Sequence, residues 1–152
     1  MSSKQIYTGK LEERQTILLE IIYGFSRALE HPTSALLHEH ILLCQLKTSK
    51  EKLRGLLSYD FEAYMRGPFS NQLRDDLSQL LALGLVEVKK GRLLVTDPGE
   101  RVIQQDKADA NLQSVRAACN EILGEFNTSH AISRAIFDSM AQTPLGGRIP
   151  SL

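Results

Sequence analysis

Apolar residues along this chain change rhythm several times, and the order of those changes predicts the architecture. From Lys10 onward Leu11, Leu18, Ile21, Ile22, Phe25 and Leu29 recur at helical steps and share one face. Pro32 ends that helix, because the residue before a proline is pushed out of helical geometry. Thr33 and Ser34 can cap a second helix, SALLHEHILLCQLK, to about Lys47; it is apolar over most of its circumference and so reads as buried on several sides. Thr48 and Glu51 are spaced as a capping box for a third, short helix that ends near Tyr59.

The rhythm then shortens. Residues 60–66 alternate weakly and read as extended, and Gly67-Pro68 reads as a turn. Ser70 is an N-cap for NQLRDDLSQLLALG, whose Leu73, Leu77, Leu80 and Leu81 face inward and whose Gly84 suits a left-handed stop. Its outward residues are Asn71, Gln72, Arg74, Asp75, Ser78 and Gln79, with Asp76 nearby. LVEVK and the return from Arg92 to Thr96 alternate at period two around Lys90-Gly91, a tight hairpin. Asp97-Pro98-Gly99-Glu100 opens another helix with a cap, an early proline and a capping-box glutamate.

After Gln105 the polar run DKADAN reads equally as a hinge or as continuous helical surface. Leu112, Val115, Cys119, Ile122 and Phe126 resume helical spacing, and Ile132, Ala135, Ile136 and Met140 mark a last helix from about Ser129. The expected architecture is therefore mainly α with a small β-hairpin. It is a winged helix-turn-helix in which the Ser70 helix holds the recognition position, with extra N- and C-terminal helices. Residues 1–9 read as a flexible arm, 10–141 as one domain and 142–152, with two prolines and a Gly pair, as a mobile tail. The terminal apolar stripes suggest a larger core or a homodimer interface.

Composition changes this picture in two ways. Eighteen basic residues balance eighteen acidic ones, whereas phosphate neutralisation ordinarily calls for a basic excess. Even from Ser34 to Gln105 there are ten basic residues against nine acidic ones. Cys44 and Cys119 lie within apolar helical patterns, which reads as reduced, buried thiols of a cytoplasmic protein. No signal-peptide pattern opens the sequence, and no apolar run approaches the ~18 residues that span a bilayer.

Candidate chemistry is thin. His38 and His40 stand two apart and point to different sides of a helix, so they do not form a zinc-type pair; His40 and Cys44 share a face but lack a recognisable third ligand. Asp75-Asp76 diverge by about 100° and read as solvated surface rather than paired acids. No nucleophile and base are spaced for catalysis, and no metal or cofactor site is evident. The expectation is a non-enzymatic binding protein. Lys89, Lys90 and Arg92 form a cationic hairpin tip suited to phosphates, and Arg66, Lys47, Lys50, Lys52 and Arg54 add possible contacts. The partner is double-stranded DNA or another protein.

The box MRGPFS, followed by LRDDLSQLLALGLVEVKKGRLLVTDPGE, resembles small prokaryotic winged-helix proteins with an aromatic-Gly-Pro-aromatic-Ser turn. They are similar to Panacea-type antitoxin domains and, more loosely, to winged-helix transcription regulators. Gly67, Pro68, Phe69 and Ser70 match the turn, Gly84-Leu85-Val86 the helix-to-wing junction, and Thr96 with Gly99 the last element; Arg66 stands where an aromatic is usual. The antitoxin likeness implies protein binding beside a toxin partner, and the regulator likeness implies DNA.

Overall fold

The computed structural model describes residues 11–48, 50–53, 55–65, 67–105, 109–141 and 143–149. The predicted arm over 1–9, together with Arg54 and Arg66, lies outside the described residues, as does the side chain of Lys50. The chain is mainly helical with small antiparallel sheets. It runs α1 (Glu13–Ala28), α2 (Ser34–Lys47), α3 (Lys50–Leu53), β1 (Phe61–Tyr64), β2 (Gly67–Phe69), α4 (Asn71–Ala82), β3 (Val86–Lys89), β4 (Arg92–Val95), α5 (Asp97–Gln105), α6 (Ala110–Glu125), α7 (Ser129–Met140) and β5 (Arg148–Ile149).

Two helices make the centre. The buried positions of α1 run from Ile17 to Ile22 without a break and add Phe25, because α6, α4, α5 and β4 surround it. The apolar stripe assigned to core or dimer is therefore used inside the chain. Helix α2 is buried almost all round, as its composition predicts, between α7, α6 and β2. Thr33 caps it, its side chain accepting the Leu36 N–H at 3.2 Å.

Three segments depart from expectation. Helix α3 is a single turn rather than a helix reaching Tyr59, because Gly55 takes a left-handed φ of 69°. The buried side chain of Gln45 then clamps the chain at Tyr59, accepting its N–H at 2.7 Å and donating to its carbonyl at 3.0 Å. Gly67-Pro68 is not a turn but part of strand β2, pairing Pro68 with Ala63 and Gly67 with Tyr64. Proline is tolerated there because β2 is an edge strand in the order β2-β1-β5.

The last correction concerns the tail. Of the segment 142–152 predicted to be mobile, residues 142 and 150–152 lie outside the described residues, while Arg148 and Ile149 pair with β1 and Ile149 is buried. Two backbone bonds join Ala63 to Gly146 and Gly147, so the Gly pair places a strand rather than freeing one. Residues 106–108 of the polar run lie outside the described residues; Asp109 caps a separate α6 by accepting the Leu112 N–H.

Candidate functional site

Helix α4 stands where the sequence places it. Ser70, fully buried, accepts the Leu73 N–H at 3.1 Å, and Gly84 closes the helix at a φ of 75°. Leu73, Leu77 and Leu80 are buried, Leu81 half-buried, and Asn71, Arg74, Asp75, Ser78 and Gln79 exposed. Gln72 is not free: its Oε1 accepts the Asp60 N–H at 2.8 Å, tying the chain before β1 to α4. Arg74 is paired with its neighbour, Nη2 donating to Asp75 Oδ1 at 3.1 Å.

Asp76 overturns the reading of Asp75-Asp76 as solvated surface, since only Asp75 is. Asp76 points inward and accepts from the Tyr59 hydroxyl at 2.7 Å, Arg14 Nε at 2.7 Å and Gln15 Nε2 at 3.5 Å. Arg14 also lies over the Tyr59 ring. A buried carboxylate is tolerable only when paired and hydrogen-bonded, and α1 supplies the pairing charge from 62 residues upstream. The hydrogen bond to Asp76 raises the Arg14 guanidinium pKa, while burial and then Asp76 push the Tyr59 phenol far up. The outer face of α4 thus carries one carboxylate where the sequence shows two.

The hairpin after Gly84 turns through Lys90 and Gly91, both with positive φ (54° and 79°), the pair that a two-residue hairpin of matching twist requires. The hairpin is anchored close to its tip: Leu93, paired with Val88, is buried and its N–H reaches the Pro32 carbonyl at 2.7 Å. Thr96 locks the far end, donating to the Gly84 carbonyl at 2.6 Å and accepting the Gly99 N–H at 3.2 Å. Thr96, rather than Asp97, is therefore the side chain that caps α5. Lys89, Lys90 and Arg92 are exposed at the tip, with no ion-pair partner among the described residues. Lys52 does not join them, since it pairs with Glu121 of α6 at 3.6 Å.

The structure assembles one arrangement that spacing concealed. His38 lies face to face with Phe69, ring centroids 4.7 Å apart, and its Nδ1 accepts the Ser70 N–H at 3.1 Å. Burial, then Arg74, lowers the His38 pKa to about 4, so the ring is neutral near pH 7. Beside it opens a cavity of about 510 Å³ between the starts of α2 and α4, with Ser34, Ala35, Phe69, Asn71 and Arg74 among its walls. The HEH triplet marked His38 only as half of a poor metal pair. Its partners lie 31 and 32 residues on, and nothing in the local pattern announces them.

His40 points the other way, fully buried and stacked on Phe25, with Nε2 3.8 Å from Cys44 Sγ. Burial alone lowers its pKa to about 4. Burial, reinforced by the neighbouring Cys119 thiol of α6, pushes the Cys44 thiol up, so Cys44 is un-ionised at neutral pH; both cysteines are buried and free. Among the described residues no group of three or more His, Cys, Asp or Glu side chains is placed to hold a metal. Nor, among them, is any helix long and apolar enough to cross a membrane.

No protein-family model, curated protein or solved structure matches this chain.

Proposed function

We propose that the chain is a non-enzymatic winged-helix protein that binds duplex DNA. In this reading α4 enters the major groove and the β3–β4 hairpin lies against the backbone as the wing. The observation that carries it is the hairpin tip. Lys89, Lys90 and Arg92 are exposed, with no ion-pair partner among the described residues, on a two-residue turn whose hairpin is bonded to Pro32 through Leu93 and to Gly84 through Thr96. Withdrawal of Asp76 into the Arg14 and Tyr59 network supports it further, because it removes a carboxylate from the groove-facing side. Asn71, Ser78 and Gln79 then offer base-edge hydrogen bonds, and Arg74 with Asp75 a paired donor and acceptor. The homodimer belongs to this proposal through α7, whose Phe137 is exposed, since the stripe of α1 is used internally.

The test is fluorescence anisotropy of a labelled random-sequence duplex over a salt series. The comparison protein carries Lys89→Glu, Lys90→Glu and Arg92→Glu. Each phosphate contact contributes about −0.9 to the slope of log K against log salt, so the variant should lose binding or show a slope shallower by about 2 to 3. Absence of wild-type binding at low salt would reject the proposal.

One observation favours a second reading, a protein-interaction module of antitoxin-like kind. Met65 is 86% exposed and Tyr64 44% exposed beside the β1–β2 turn, an apolar pair suited to a protein surface. In a co-purification from cells, loss of a stoichiometric partner on Met65→Lys would support it, and unchanged retention would count against it.

A further inference from the structure

We propose that the cavity between the starts of α2 and α4 binds a small organic acid, a carboxylate carried on a flat apolar body. This concerns the free protein and does not depend on duplex binding.

Three observations converge. The first is His38, 4% exposed, which forms part of the cavity wall. Its Nδ1 accepts from Ser70, so the ring proton is on Nε2, across the ring from that bond. Nε2–H has no hydrogen-bond partner among the described residues and is not fully buried, so it is a donor accessible from the cavity, on a ring held by its stack on Phe69. A ligand oxygen in the cavity can accept from this pre-positioned donor in place of water.

The second is the sign of the surroundings. Ser34 and Ala35 begin α2 and Asn71 begins α4, so two helix N-termini with unsatisfied backbone N–H groups meet at one cavity. Thr33 and Ser70 each engage only the N–H three residues ahead, leaving those of the first turn available. Arg74 adds a cation: its Nε and Nη2 reach Asp75, and Nη1 has no protein partner among the described residues. Among the described residues no carboxylate lines the cavity.

The third is the material of the walls. The rings of Tyr64 and Phe69, the Pro68 ring and the Ala35 methyl are carbon surface, and the volume of about 510 Å³ is in the range of small-molecule sites. Tyr64 meets Phe69 edge to face at 5.9 Å and its hydroxyl donates to Glu62, which keeps that oxygen engaged away from a ligand. Donors at one end and rings along the sides select an anion with an aromatic or similarly flat body over an inorganic anion.

Phenylacetate is the probe and phenylacetamide its uncharged counterpart. The readout is the imidazole ¹⁵N–¹H spectrum of the protein near neutral pH, with the His38 resonance assigned by His38→Gln. Phenylacetate should shift the His38 Nε2 signal saturably, and phenylacetamide should bind at least about tenfold more weakly, the loss of a charge-assisted hydrogen bond. Arg74→Gln should weaken phenylacetate by a similar factor. Ala35→Trp, at an exposed helix position, should fill the cavity and abolish the shift while the amide spectrum elsewhere stays native. The proposal is overturned if phenylacetate gives no saturable shift, if the amide binds as well as the acid, or if Ala35→Trp leaves the shift in place.

Discussion

Two imidazoles on one helix, His38 and His40, are kept neutral chiefly by burial. Both have pKa values of about 4, and in both desolvation is the leading cause. For His40 it is the sole cause, and its Nδ1 has no hydrogen-bond partner among the described residues. A base whose folded pKa lies below its unfolded value near 6.5 takes up its proton more readily when unfolded. Above pH 6.5 these groups are neutral in both states and cost nothing. As pH falls from 6.5 to about 4 each withdraws stability, roughly 3 kcal/mol at full effect. Glu39 acts in the opposite sense, since burial raises its carboxyl pKa and the Ser133 hydroxyl only partly offsets that. Urea unfolding at stepped pH should show stability falling between pH 6.5 and 4, and His40→Leu should remove about half of the fall. An unchanged slope in that variant would exonerate His40.

At the scale of elements, the junction between hairpin and α5 depends on one missing side chain. A Cβ on Gly99 would stand 2.2 Å from the Leu85 carbonyl oxygen and 2.7 Å from Val95 Cγ1. Backbone cannot retreat as a flexible side-chain end can, so Gly99→Ala should lever α5 off the hairpin base. Its cost should be roughly 2–4 kcal/mol, read as a lower urea midpoint. Gly91→Ala, at the turn, meets open space but must hold a φ of 79°, and should cost only about 1 kcal/mol. Equal losses from the two variants would contradict this account. The same junction shows what sequence can and cannot reveal. The hairpin and its turn are legible because period-two alternation and Lys90-Gly91 are local signals. That Thr96 bonds both Gly84 and Gly99 is invisible, because the bonds join residues whose proximity exists only after the hairpin closes.

At the scale of the whole molecule, the chain's last described strand returns to the middle of the sequence. β5 pairs with β1 and covers it on the side away from β2, burying Ile149. Deleting residues 143–152 should remove about 2 kcal/mol of apolar burial and expose the edge of β1. A fall in Tm of roughly 4–8 °C should follow, together with faster amide exchange at Ala63, whose N–H now reaches the Gly147 carbonyl. An unaltered Tm would mean that β5 contributes nothing to stability.

Sequence by itself determined most helices, their caps at Thr33 and Ser70, the stop at Gly84 and the cationic hairpin, because each rests on contacts within a few residues. Only the tertiary structure decided the rest. It turned Asp76 inward to Arg14, made Gly67 to Phe69 an edge strand and gave the tail a partner in β1. It also brought His38 against Phe69 and Ser70 beside a cavity. A residue's face and its cap are set by its near neighbours along the chain. Whether a polar group is buried depends on a counter-charge or donor that folding brings from far away, and no local period encodes that distance.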